Sequence, residues 1–247
     1  MSLHAVRNIF VSGPNSYFFG KFIWKISVSL GKWNPFALIL PAAFGLAFFG
    51  ACLTAYIMFV PGHPYILQTI SSIIKLPLIF FLSAIVAAII TFLFARITRK
   101  SLKGRAIARG SLVALFMTST FLFVLAPAIA ILSSQGNYSE VILASYAAFL
   151  ISTFVGALFF YLHTMQLAEG GFLATSLVWC VLFATSTANI GWELRPLVGW
   201  TGQPFQLVRT DNGHMWSQVV CEMKNMRFGG IHFPSAGQDS MTKAWPC

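Results

Sequence analysis

Apolar residues run in five long blocks along this chain, and charges fall almost entirely between them. The blocks lie near 35–60 (PFALILPAAFGLAFFGACLTAYIMFV), 76–95 (LPLIFFLSAIVAAIITFLFA), 111–132 (SLVALFMTSTFLFVLAPAIAIL), 142–162 and 171–191. Each is about twenty residues long, the length that carries an α-helix across a bilayer core of roughly 30 Å. Strands of a membrane barrel would be about ten residues long with polar alternation, which none of the blocks has. The pattern therefore predicts an all-α integral membrane protein, a five-helix transmembrane bundle over 35–191. Residues 1–34 precede it as an aromatic and basic interfacial segment. Residues 192–247 follow as a tail.

Positive charge orients these elements. The stretch RITRKSLKGR with Arg109 just beyond holds Arg96, Arg99, Lys100, Lys103, Arg105 and Arg109 and no acid. Short loops rich in Lys and Arg stay in the cytoplasm, where these six would meet anionic lipid. Residues 1–34 carry Arg7, Lys21, Lys25 and Lys32 without an acid, which puts the N-terminus on the same side. Loops 61–75, with Lys75, and 133–141, with Glu140, are then external, and an odd number of spans places the C-terminal tail outside. Loop 163–170 has Glu169 and no base, so it gives this topology no support.

Composition agrees with a membrane location: 57% of residues are hydrophobic and 9% charged, against about a quarter charged in soluble domains. The net charge of +10 sits beside apolar runs, which fits a lipid surface better than a nucleic acid. The first apolar run begins too late for a cleaved secretory signal.

Small residues mark a packing face. Ala144, Ala148, Ser152 and Gly156 recur every four residues on the fourth span, a stripe that lets helix backbones approach closely, within the chain or against a partner. Ala84 and Ala88 are a weaker version on the second. Polar residues inside the spans are hydroxyls and one amide (Thr118, Ser119, Thr120, Thr185, Ser186, Thr187, Asn189), expected to bond their own helix carbonyls. No ionisable residue falls in a predicted span, and Pro127 is expected to kink the third.

Catalytic chemistry finds little purchase. The five histidines are scattered, no nucleophile elbow, phosphate loop or HExxH occurs, and six acidic residues in the whole chain leave few groups for acid–base work. Cys52, Cys180, Cys221 and Cys247 lack metal-ligand spacing, so neither metal nor cofactor is predicted, and the chain reads as a non-enzyme. Cys221 and Cys247 share the tail and can pair in an oxidising compartment. Asn212 can cap a short amphipathic helix over 214–224, and 228–247 reads as an aromatic arm that orders on something else.

Beyond the last span, Trp192 suits the water–lipid boundary, Glu193 and Arg195 are the first charges able to reach water, and Pro196 stops the helix. Gly199, Gly202 and Pro204 supply turns. This stretch also carries a resemblance. WELRPLVGWTGQPFQLVR (192–209) resembles the segment W-x-L-R-P-F-x-G-S-P-x-x-P-x-x-x-x-R that follows the last helix of small bacterial multi-pass proteins related to the Yip family of Rab-GTPase-interacting membrane proteins. Trp192, Leu194, Arg195, Pro196, Gly199, Pro204 and Arg209 match; Leu197 replaces Phe, and Trp200-Thr201 replaces Ser-Pro. IIKLPLIFFLSAIVAAIITFLFA (73–95) resembles the Lys-x-Pro-led second helix of the same group. The likeness covers about 35–225 and implies a non-enzymatic membrane organiser, by fold analogy alone.

Two functional expectations follow. The first is a non-catalytic membrane subunit or scaffold whose partners are lipids and other membrane proteins or copies of itself. The alternative is a small transporter or channel for a lipid or small anionic solute, its path beside Thr118, Thr120, Thr187 and Asn189 with Arg195 at the outer mouth. A bound lipid is compatible with either.

Overall fold

A computed structural model describes residues 22, 25–55, 66–98, 103–134, 138–167 and 173–193. These residues are helical with short breaks, and among them there is no strand. A short helix, α1, covers 25–32. Five long ones follow: α2 Pro35–Leu53, α3 Ile66–Ile97, α4 Gly104–Ser134, α5 Tyr138–Leu167 and α6 Leu173–Glu193. All five are long and apolar enough to cross a membrane.

The helices overrun several blocks that the sequence marks out. At 32 residues, α3 is about 48 Å long at 1.5 Å per residue, well beyond a 30 Å hydrocarbon layer. Backbone hydrogen bonding has no reason to stop where the side chains turn polar, so α4 begins at Gly104 and α5 at Tyr138, each ahead of its apolar block. The first block is the exception, because helix α2 ends at Leu53 and 56–65 lie outside the described residues. Asn34 caps α2, its side chain accepting from the Phe36 amide at 3.2 Å, and Pro35 fills the first helical position, where its missing N–H costs nothing. Pro41, Pro77 and Pro127 are all accommodated inside continuous helices.

α2, α4, α5, α6 and α3 form a closed ring in that order, and α3 also touches α4 across it. α2, α4 and α6 run one way and α3 and α5 the other. Close approach replaces hydrophobic drive, which lipid does not provide between helices. A Cβ on Gly50 would lie 2.7 Å from the Ser72 carbonyl oxygen on α3, and one on Gly45 would lie 2.5 Å from the Ser119 hydroxyl on α4. Ser119 donates to the Ala42 carbonyl at 2.7 Å, tying α4 to α2.

Aromatic rings fill the interior. Phe49, Phe149, Phe80, Phe183, Trp179 and Phe160 form a continuous series with successive centroids 4.8–5.8 Å apart. All but Phe149 are buried, and Phe149 packs partly covered against the same core. The outer faces carry Phe36, Leu40, Phe44, Ile74, Ile89, Leu150 and Phe154, all exposed, as an apolar surrounding allows.

Two expectations change here. Lys75 is not in an external loop: it lies inside α3 and is 5% exposed. The apolar span runs Thr69–Ile97, so a buried lysine does enter a span, and His163 is likewise buried within Leu143–Met165. Hydroxyl bonding also divides. Thr120 and Thr185 bond the carbonyls of Phe116 and Val181 on their own helices, whereas Ser119 crosses to another helix and the Thr118 and Thr187 hydroxyls have no partner.

Candidate site at the basic end of the bundle

Lys25, Lys32, Arg96, Lys103, Arg105 and Arg109 gather at one end, where α2, α4 and α6 begin and α3 and α5 finish. Among the described residues no acid lies there; Glu140 and Glu193 belong to the opposite end of the bundle. The partial positive charges of three helix N-termini there are largely offset by the C-termini of α3 and α5, so the positive field of this end comes from its side chains. Arg96 lies over the Phe92 ring at 5.1 Å, and Lys103 and Arg105 are exposed.

Arg109 is different. Its Nη2 donates to the Trp33 carbonyl at 3.0 Å, bridging α4 to the link between α1 and α2. Its Nε is buried and has no hydrogen-bond partner. Across the α4–α5 contact, within electrostatic reach of Arg109, lies His163. The imidazole is 3% exposed, and neither ring nitrogen has a partner. Gly31 of α1 closes over it. A Cβ there would lie 2.5 Å from His163 Cε1 and 2.8 Å from Nδ1, so only glycine lets α1 lie so close to the ring.

The layer beneath is held by aromatic packing and a few side-chain hydrogen bonds, although the buried Thr175 and Ser176 hydroxyls of α6 have no partner. Trp179 donates from Nε1 to the Ser111 hydroxyl at 2.9 Å, joining α6 to α4, and its ring stacks on Phe160 and Phe183 at 4.9 and 4.8 Å. Gly110 leaves room for Phe160, whose ring a Cβ would approach to 3.2 Å. Thr164 bonds the Phe160 carbonyl. Buried hydroxyls without partners occur elsewhere in the bundle, at Ser71, Thr118 and Ser152 among others; what sets this place apart is that a guanidinium nitrogen and both nitrogens of an imidazole are among the unpartnered atoms.

The small-residue stripe lies elsewhere. Ala148 and Ser152 are buried and Ala144 half-buried. A Cβ on Gly156 would overlap the Thr118 hydroxyl and lie 2.9 Å from the Ala114 carbonyl oxygen, so at Gly156 the stripe faces α4 of the same chain. Trp192 and Glu193 close α6. Arg195, Pro196, Gly199, Pro204, Arg209, Arg99, Lys100, Cys221 and Cys247 lie outside the described residues. Of the polar residues on the alternative transport path, Thr118 is sealed inside while Asn189 is exposed on α6. Cys52 and Cys180 are free thiols.

The chain was compared with protein-family models, curated proteins and solved structures. No match was found in any of the three. Among the described residues, no three His, Cys, Asp or Glu side chains converge on a metal-sized site.

Proposed function

We propose that this is a multi-pass membrane subunit or scaffold without catalytic activity, its basic end in the cytoplasm of a bacterial inner membrane. The observation that carries the reading is the filled interior. Six aromatic rings in series from α2, α3, α5 and α6 occupy the space that a substrate cavity would need. What remains for interaction is the outside: a tall apolar perimeter and a basic rim. Because Gly156 and Ser152 pack inward, partners meet other faces, such as that of α2 with Phe36, Leu40 and Phe44. The likeness of 192–209 to the Yip-related group supports an organising role by analogy.

Gentle extraction from the native membrane followed by intact-complex mass measurement tests this reading. Stoichiometric co-purifying chains, or a homo-oligomer, are expected. A lone 27.2 kDa chain that moves a solute across liposomes would overturn it. One observation favours that second reading, transport of a lipid or small anion: Lys75 is buried within a span, and intramembrane charges commonly mark pathways.

A further inference from the structure

We propose that the junction of α1, α4 and α5 binds one phosphate group, that of an anionic phospholipid, between Arg109 and His163. The inference deepens the membrane reading above and rests on the basic end lying at the headgroup layer.

Donor chemistry comes first. Arg109 is a permanent cation with five N–H groups; one bonds Trp33, and the buried Nε has no acceptor. Histidine carries at least one N–H in any tautomer, and both ring nitrogens of His163 are buried without partners. A desolvated donor left without an acceptor is costly, and a charged one more so. Two such groups on facing helices call for one shared acceptor. Among the described residues no carboxylate lies at this end, Glu169 between α5 and α6 being outside them, and Trp33 supplies a single carbonyl. A phosphate supplies charge and several acceptor oxygens at once, matched to the guanidinium fork.

Depth then selects the source. Arg109 is five residues into α4, about 7.5 Å from its first residue, and Trp33 directly precedes the cap of α2. Trp33 is 44% exposed, the setting in which indoles sit at the membrane interface. Phe116 lies 6.3 Å from it, and Phe36 and Leu40 continue the exposed apolar surface away from the basic end. A headgroup at Arg109 therefore has a ready surface for its acyl chains, which inorganic phosphate would not use. Lys32 and Arg105 stand nearby in sequence to strengthen the local field, as in other basic pockets between membrane helices. Arg109 is the half-exposed member of the pair, so the phosphate approaches from its side. There it takes the Nε–H and one imidazole N–H as Arg109 swings outward.

Native mass spectrometry of the full chain with dioleoyl-phosphatidylglycerol, and with phosphatidylcholine as the zwitterionic control, tests the proposal. The wild type should hold one phosphatidylglycerol in preference to phosphatidylcholine. Arg109→Gln and His163→Leu should each weaken it about tenfold, the worth of one charge-assisted hydrogen bond, while Arg105→Gln changes it less than about twofold. Arg109→Lys keeps the charge and removes the fork, and should be intermediate. Thermal midpoints in detergent verify that each variant is folded. Equal losses for Arg105→Gln and Arg109→Gln would reduce the effect to general surface charge and overturn the proposal, as would binding unchanged in both Arg109→Gln and His163→Leu. Displacement of the lipid by millimolar inorganic phosphate would overturn the lipid as ligand. Partner chains are read in the same spectra, so their absence with the lipid retained would sink the subunit reading alone.

Discussion

Replacing Gly50 by alanine tests how the bundle is held together. Gly50 lies where α2 crosses α3, and the added Cβ would sit 2.7 Å from the Ser72 carbonyl oxygen, 3.0 Å from its carbon and 3.1 Å from Leu76 Cδ1. Ordinary contact begins at 3.4 Å, so the helices must part by about 0.7 Å, since a helix carbonyl cannot rotate aside. Overpacking of this kind costs about 1–3 kcal/mol. Alanine returns about 1 kcal/mol of helix propensity in water. That return is smaller in lipid, where the separate helices are already formed. The expected net loss is about 1–2 kcal/mol, roughly a tenfold change in the unfolding equilibrium.

Gly104→Ala is the control. Its nearest neighbour is the edge of the Phe92 ring at 3.2 Å, a side chain that can yield, at the first residue of α4. It should be neutral within about 0.5 kcal/mol. Unfolding in mixed micelles with increasing dodecyl sulfate, followed by tryptophan fluorescence, measures both variants. A Gly50→Ala protein as stable as wild type, or a Gly104→Ala protein that loses more, would refute the idea that backbone contact between α2 and α3 sets the stability of the bundle.

Five further outcomes are expected. Trp179→Ala should cost about 3–5 kcal/mol by emptying the place between Phe160 and Phe183, and Ser111→Ala no more than about 1–2 kcal/mol, the range for hydrogen bonds between membrane helices; the same micelle titration measures both. Ser119→Ala should cost about 0.6 kcal/mol, the average for such a bond, because it frees only the Ala42 carbonyl. Lys75→Cys should resist a membrane-impermeant maleimide in intact vesicles and react once the protein is unfolded; rapid labelling of the folded protein would contradict its burial. Lys103→Cys should label only from the cytoplasmic side, and labelling from outside would reverse the assigned topology.

The five spans were legible because charges bracket them, but cutting at charges also produced the main error. Lys75 reads as an end marker, yet it lies on the same side of α3 as Ser71 and Ile79, at spacings of four, and all three are buried. Those spacings were in the sequence; what hid them was the assumption that a membrane helix carries its charges outside. Lys stems can cross apolar ground when the helix turns them inward. Burial on the other helices was harder to read. α2 is apolar all round, so the buried residues Leu38, Ala42, Gly45, Phe49 and Leu53 differ from the exposed Phe36, Leu40 and Phe44 by contact geometry, not by hydrophobicity. Arg109 was read as one more cation of a lipid-facing loop. Its pairing with His163 depends on α4 and α5 being neighbours and on Gly31 bringing α1 over the ring, none of which local pattern encodes.

Cohesion and function divide along the length of this bundle. Between lipid-solvated helices, close backbone approach, hydroxyl bridges and dispersion must supply the attraction. They concentrate in the middle, at Gly45, Gly50 and Gly156, at Ser119 and along the aromatic series. Aromatic pairs contribute about 0.5–1.5 kcal/mol each beyond their buried area, so opening an axial conduit through Phe149, Phe80 and Phe183 would sacrifice much of what holds the helices together. A solute path would need to skirt this centre along the outer surface. At the basic end the balance reverses: His163 and the Arg109 Nε are buried without partners, under a helix that rests on them by virtue of a single glycine. A folded chain retains such a cost where something else removes it. Unpartnered hydroxyls such as Ser71, Thr118 and Ser152 occur farther along the bundle, but at the basic end the unpartnered donor is charged, and a charged donor is the costlier one to leave without an acceptor.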